Sequence, residues 1–269
     1  MTWVLLRGLT REARHWGPLP QQLARLAPTA DAAPVGSAQV VATDLPGNGE
    51  FCLEASPLSV RGMVDFARRQ LRAQGHSPPY RLLAMSLGGM VATDWAQRYP
   101  AEVARLVLIN TSMRPYSHAA ERLRPASWLP LALLAARWRD AGYSERAIHQ
   151  LTCERTNRRD EEVAAWTAIR NSAPVSAANA WRQLWAAARF ATAASAPPCP
   201  TLVLSSATDR LVHPRCSARL ANAWQAVHHI HPWAGHDLPH DDADWVCGRI
   251  ADWLACGPGP GSLPRGADQ

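Results

Sequence analysis

Lysine is absent from this 269-residue chain; all 28 basic residues are arginines, and the formal net charge is +6. The arginines are spread along the chain instead of forming one stripe, and no nucleic-acid-binding motif accompanies them. A nucleic-acid partner is therefore not expected. No run of about 18 apolar residues occurs, which excludes a membrane-spanning helix. The first residues, Met1 to Arg7, lack a basic region followed by an apolar stretch and a cleavage site, so a cytoplasmic protein is expected. C-x-x-C spacing is missing among the six cysteines, Cys52, Cys153, Cys199, Cys216, Cys247 and Cys256, which read as free thiols in a reducing compartment. Nothing calls for a cofactor, and none is expected.

What is present is an alternation. Apolar runs rich in β-branched residues read as strands at 3–6, 38–43, 80–85, 103–110, 201–205 and 227–231. Helical spacing falls between them, at 18–26, 60–74, 89–99, 215–224 and 243–254. On the second of these helices Val60, Met63, Val64, Ala67 and Leu71 share one face. The pattern predicts an α/β fold with a doubly wound, mainly parallel sheet of about six strands. Residues 112–196 break the alternation and read as helical, with five of the 12 tryptophans. The expected organisation is a core of 1–111 and 197–256, a helical cap inserted at 112–196, and a disordered Gly/Pro-rich tail at 257–269.

The most informative stretch is Ala84-Met85-Ser86-Leu87-Gly88, a serine between small residues at a strand-to-helix junction. That is the pattern of a nucleophile elbow, a turn tight enough to force positive φ on the serine. A serine hydroxyl needs a base, and the base an orienting acid. Asp209, just past the 201–205 strand, is placed to be the acid, and His236, past the 227–231 strand, to be the base. Asp44, Ser86, Asn110, Asp209 and His236 all fall at strand ends and should converge on the carboxyl edge of the sheet.

Four motifs in this order carry a resemblance: the Ala-x-Ser-x-Gly elbow, Asp-Leu-Pro-Gly-Asn-Gly at 44–49, Ala-Thr-Asp-Arg-Leu-Val around Asp209, and Ala-Gly-His-Asp-Leu-Pro around His236. The chain resembles the α/β-hydrolase superfamily of esterases, lactonases and epoxide hydrolases, in its esterase-like form with a helical cap. It is distantly similar to carboxylesterases such as the pimeloyl-carrier-protein methyl esterases. The resemblance implies a Ser86–His236–Asp209 triad and an oxyanion hole from the backbone N–H groups of Leu9 and Leu87. It departs from the usual pattern at Arg7, at Ala84 and at Asn48, positions where His, Gly and His are common. The N-terminal antiparallel hairpin usual in the family is not expected, since Trp3 already lies in the first parallel strand. The activity implied is serine hydrolysis of a carboxylic ester or related acyl bond of a small-molecule substrate. Acyl transfer, C–C or peptide hydrolysis on the same triad, and a non-catalytic binding relative remain as alternatives. Ser86 argues against dehalogenase and epoxide hydrolase chemistry, which use Asp at that position.

Each residue also has a plainer reading. Ser86 can cap a helix, Asp209 can shape a turn, His236 can be structural, Asp237 is a rival acid, and His240 is a weaker base candidate. Arg7 is either a fixed charge for a substrate carboxylate or the partner of a structural acid. His15, Trp16, Trp128 and Trp138 are candidates for the substrate pocket, with the start of a helix as the other reading for His15 and Trp16 and core packing for Trp128 and Trp138. The run 128–134 reads as a cap helix in preference to a membrane contact. His228, His229 and His231 alternate across a strand with no ligand-spaced partner, so no metal is expected there. Arg137, Arg139, Arg146, Arg155, Arg158 and Arg159 make the cap basic, which allows docking of an acidic carrier protein as a further expectation.

Overall fold

The computed structural model describes residues 1–26 and 39–256. Six strands form one sheet: β1 (Trp3–Leu6), β2 (Val40–Ala42), β3 (Tyr80–Met85), β4 (Val103–Ile109), β5 (Thr201–Ser206) and β6 (Val227–His231). Their order is β2-β1-β3-β4-β5-β6, and every pairing is parallel. The expected sheet of about six strands is present. The β2 strand is shorter than the 38–43 run because pairing with β1 covers only Val40 to Ala42; Ala38 lies outside the described residues, as does the tail from Gly257.

Period-two alternation explains the two layers of core. Val4, Leu6, Leu82, Ala84, Leu106 and Leu108 point to one face. There they meet α2 (Val60–Ala73), α3 (Leu87–Arg98) and α9 (Arg215–Trp224). Trp3, Leu5, Leu83, Met85, Val107 and Ile109 point to the other, against α1 (Leu19–Ala24) and α11 (Ala243–Ala255). Strands buried on both faces read as continuous apolar runs, as these do. The apolar face foreseen for α2 is buried as a unit, and Ser59 caps its N-terminus by accepting from the Gly62 N–H.

Between β4 and β5 the chain forms α4 (Ala119–Arg122), α5 (Trp128–Ala136), α6 (Ala141–Thr152), α7 (Arg159–Ser172) and α8 (Ala177–Arg189). A short helix, α10 (Leu238–Asp241), precedes α11. Polar ties hold α8 to loops of the sheet. Gln183, fully buried, accepts from the Thr10 N–H at 2.8 Å and donates to Asn48 Oδ1 at 2.9 Å and Ser56 Oγ at 3.0 Å. Asn179 accepts from the Ser56 N–H and donates to the Glu54 carbonyl, each at 2.9 Å.

Trp95 of α3 anchors the first layer. It is fully buried, meets Tyr80 edge-on, and donates from Nε1 to Glu102 at 2.8 Å. Trp95→Ala leaves a cavity in that layer, and is expected to lower the unfolding free energy in urea by about 3–5 kcal/mol.

Candidate active site

The elbow begins where β3 ends. Ser86 has φ 54° and ψ −118°, a conformation that costs a non-glycine residue about 1–3 kcal/mol. The surroundings over-determine it. Its N–H donates to the Ile109 carbonyl at 3.0 Å, and its carbonyl accepts from Thr111 Oγ1 at 2.7 Å. A Cβ at Gly88 would sit 2.2 Å from the Leu6 carbonyl oxygen, so only glycine allows α3 to start this close to the exit of β1. That exit runs against the serine: a Cβ on Gly8 would lie 3.2 Å from Ser86 Cβ. Leu87 is the first residue of α3, where a helix leaves its N–H groups unpaired. Among the described residues neither the Leu87 N–H nor the Leu9 N–H donates a hydrogen bond.

Asp209 and His236 are joined directly, by a 2.7 Å hydrogen bond from Nδ1 to Oδ2. The other carboxylate oxygen accepts from the N–H groups of Leu211 and Val212 at 2.8 and 2.9 Å. Asp209 therefore shapes its turn and engages the imidazole at once, one oxygen for each task. Burial pulls the His236 pKa down, but the charge of Asp209, its hydrogen bond and the charge of Asp237 outweigh that, and the net shift is upward.

Ser86 Oγ makes no hydrogen bond to His236 among the described residues. Serine and imidazole loop are tied instead through adjacent residues at the end of β4. Ile109 takes the Ser86 N–H, while Asn110 Nδ2 donates to the His236 carbonyl at 2.8 Å and to Ser206 Oγ at 3.0 Å. Asn110 itself has φ 45°, which suits asparagine better than most residues. Asp44, the other residue foreseen at a strand end, lies under the 44–49 loop and accepts from the N–H groups of Ala13 and Glu50. Its burial lifts the carboxyl pKa to about 6 against those two hydrogen bonds.

Arg7 is 3% exposed and grips Asp237 with both terminal nitrogens, at 3.1 and 2.6 Å. Its charge is thus matched inside the protein by a structural acid, one of its two readings, while Nε is left without a partner. Asp237, the rival acid for His236, is the counter-ion of Arg7. Burial raises its pKa, but the charge and hydrogen bonds of Arg7 overcome this and hold it at about 2.

The remaining pocket candidates have these neighbours. Trp16 packs in the second core layer with Leu19 and Leu23. His15 is buried, with Nδ1 accepting from the Glu12 N–H, and burial beside Arg11 and Arg7 keeps it neutral. Trp138 lies under the Arg170 guanidinium at 4.0 Å and donates to the Val175 carbonyl, while Trp128 is 55% exposed. Asn48, in the place of a common histidine, donates to the Arg11 carbonyl at 3.0 Å and accepts from Gln183.

One residue absent from the sequence reading fixes the imidazole loop. Asp241 accepts from the N–H groups of Gly235, Glu154 and Arg155, at 2.7, 3.0 and 3.0 Å. The Asp237 N–H donates to the Thr152 carbonyl at 2.7 Å, and a Cβ on Gly235 would meet that same oxygen at 2.5 Å. The only signal was the recurrence of Asp at 237, 241 and 242 after the histidine, which does not say which of them turns inward.

The Arg7–Asp237 pair gives a stability prediction. Asp237→Asn leaves a buried guanidinium without its charge partner and should cost about 3–5 kcal/mol in urea unfolding at pH 7. Because the Asp237 pKa is depressed from 3.8 to about 2, the pair's contribution is complete above about pH 4. It is lost as pH falls towards 2, so the gap between wild type and variant should close over that interval.

The comparisons with known proteins agree with this architecture. The family described as serine aminopeptidase, S33, matches residues 36–243. A Klebsiella pneumoniae protein named as the carbamate hydrolase RutD is 30% identical over 236 residues, covering 81% of each chain. A pimeloyl-[acyl-carrier protein] methyl ester esterase of Chromobacterium violaceum is 42% identical over 72 residues, 26% of each chain. The enol-lactonase of Burkholderia xenovorans LB400 superposes with a TM-score of 0.72 at 19% identity, over 94% of this chain and 90% of that one. A thermophilic esterase from Thermogutta terrifontis gives 0.72 at 23%, over 94% and 89%. A doubly wound parallel sheet, a serine elbow after its third strand in sequence and a match over most of its length place this chain in the serine aminopeptidase S33 family of the α/β-hydrolases.

Proposed function

We propose that the protein is a serine hydrolase that cleaves a carboxylic ester or related acyl bond through an acyl-enzyme. The observation that carries this reading is the Asp209–His236 hydrogen bond at 2.7 Å, with Ser86 held at positive φ at the exit of β3. In the first step His236 Nε2 takes the Ser86 proton as Oγ attacks the carbonyl carbon. Asp209 holds the ring by Nδ1–H and balances the imidazolium that forms. The Leu9 and Leu87 N–H groups receive the oxyanion, a role in which one donor is typically worth about 3–4 kcal/mol. His236 then protonates the leaving group, and water attacks the acyl-enzyme in the reverse sense. The name of the Klebsiella relative brings carbamates into the class of acyl bonds to be tried.

The α4–α8 segment is read as the cap and residues 1–111 with 197–256 as the core. Gln183 and Asn179 tie α8 to the loops around the proposed site, which supports that division. Docking of an acidic carrier is supported by the similarity to the pimeloyl-[acyl-carrier protein] methyl ester esterase, while the cap arginines add little to it. Of the six arginines that suggested it, Arg137, Arg146, Arg155 and Arg158 pair with Asp140, Asp160, Glu162 and Glu161. A cytoplasmic setting is supported by six unpaired cysteines. No described helix is long and apolar enough to cross a membrane.

Ser86→Ala is expected to abolish turnover of p-nitrophenyl acetate and butyrate, and labelling by a fluorophosphonate, while circular dichroism stays unchanged. Turnover at the wild-type level in that variant sinks the mechanism. The base acts only when neutral, and its pKa is raised above 6.5, so kcat/KM should rise through an acid limb centred above pH 6.5. Asp209→Asn removes the group that raises it. The limb should move to lower pH and kcat fall by roughly 10⁴-fold.

A further inference from the structure

Close to the imidazole loop, but outside the proposed triad, lies a buried group of soft and borderline donors. His149 on α6 and Cys153, just past its end, stand one helical turn apart and so share a face. His240 on α10 approaches them from the core side. One donor atom from each of the three lies within 4.8 Å of the others. The His149 side chain has no exposed surface and Cys153 is 3% exposed. Trp166 covers both imidazoles, with ring centroids 5.3 Å from His149 and 4.8 Å from His240.

The hydrogen bonding of this group is incomplete. His149 Nε2 meets Glu162 Oε2 at 2.9 Å, which leaves Nδ1 buried and without a partner. His240 Nε2 lies 3.1 Å from the same carboxylate oxygen, off the line of a good hydrogen bond. The Cys153 thiol has only a long contact, 3.5 Å, to Thr152 Oγ1. A buried polar atom left unpaired typically costs about 1–3 kcal/mol, so a cluster of them needs a reason.

We propose that His149, Cys153 and His240 form a binding site for a divalent cation of the zinc class. Two imidazoles and a thiolate are the donors such an ion prefers, where a hard cation would ask for oxygens. Glu162 takes the outer position, since a carboxylate that accepts from the far side of a ligating imidazole fixes its tautomer and its aim. Drawing the three donors in to metal–ligand distances of about 2.0–2.3 Å needs a small inward movement of each side chain. The ion replaces the Cys153 thiol proton, which leaves to solvent, and three protein ligands leave a fourth position for water. His240, Glu162 and Trp166 also line a cavity of about 440 Å³, which gives the ion a path in. Ser86, Asp209 and His236 do not line that cavity, so the ion belongs to no step of the proposed acyl chemistry. Its effect is mechanical: it joins α6 to the helix that follows His236.

The test uses the full chain after dialysis against a chelator. Zn²⁺ titrated against a competing chromophoric chelator should bind at one equivalent and raise the thermal midpoint. Co²⁺ in its place should give a thiolate-to-cobalt charge-transfer band in the near ultraviolet. Cys153→Ser should lose the band, while Cys247→Ser, a buried thiol elsewhere, should keep it. Glu162→Gln should weaken Zn²⁺ binding by roughly 10–100-fold. If Cys153→Ser does not fold, the partly exposed His240→Gln decides, with binding lost and dichroism unchanged as the expected result. Absence of stoichiometric binding by the wild type, or wild-type Zn²⁺ affinity in His240→Gln, overturns the site.

Discussion

The buried pair of Arg7 and Asp237 is the interaction on which the geometry of the site depends. Arg7 closes the exit of β1, and Asp237 belongs to the loop after β6, at the far edge of the sheet. Four strand positions separate them, about 19 Å at ordinary strand spacing. For the two side chains to meet, the loop after β6 must fold back over the carboxyl ends of β5, β4 and β3. His236, one residue before Asp237, is carried with it and reaches Asp209 on the way. Without that return, the imidazole would stay near the sheet edge, about 14 Å from the strand that bears Ser86.

The rest of the site is held by side chains that take up backbone N–H groups and carbonyls left over where regular structure ends. Asn110, Asp241 and Gln183 are all buried, and each binds main-chain groups from at least one other loop, while buried Asp209 binds main-chain groups of its own turn. Loops cannot bury themselves in apolar contacts without orphaning their polar atoms, so their precision comes from such groups. One consequence is coupling. The same Asp241 carboxylate holds the Gly235 N–H beside His236 and the Glu154 and Arg155 N–H groups after α6. A shift of the helices between β4 and β5 is therefore felt directly by the imidazole loop.

Two acids next to one histidine show how environment separates roles. Asp209 and Asp237 are equally buried and chemically identical. Arg7 binds both oxygens of Asp237 and so removes it from competition, whereas Asp209 gives one oxygen to its own turn and the other to the imidazole. The histidine is raised in pKa and Asp237 depressed, shifts in opposite directions that follow from which group faces a cation and which faces an anion.

The alternation of strands and helices, the order of serine, acid and histidine, and the tight turn at Ser86 were legible in the sequence because each is a local property. Period two, period 3.6 and small residues flanking a serine report on backbone geometry within a few residues. The apolar face of α2 was readable for the same reason, and so was the extent of α9 and β6. Pairings across the fold were not. Arg7 admitted two opposite roles until Asp237, 230 positions away, was found against it. Trp16 follows the turn after β1, and its packing with Leu19 and Leu23 in the second core layer could not be read from that position. Nothing in the sequence singled out Asp241 or Gln183, since burial and hydrogen-bond partners are set by elements far apart in the chain. Local steric and periodic constraints thus determined the strands and the tight turn at Ser86. Only tertiary structure, by closing long-range ion pairs and filling two core layers, decided which charges are free and which are already matched.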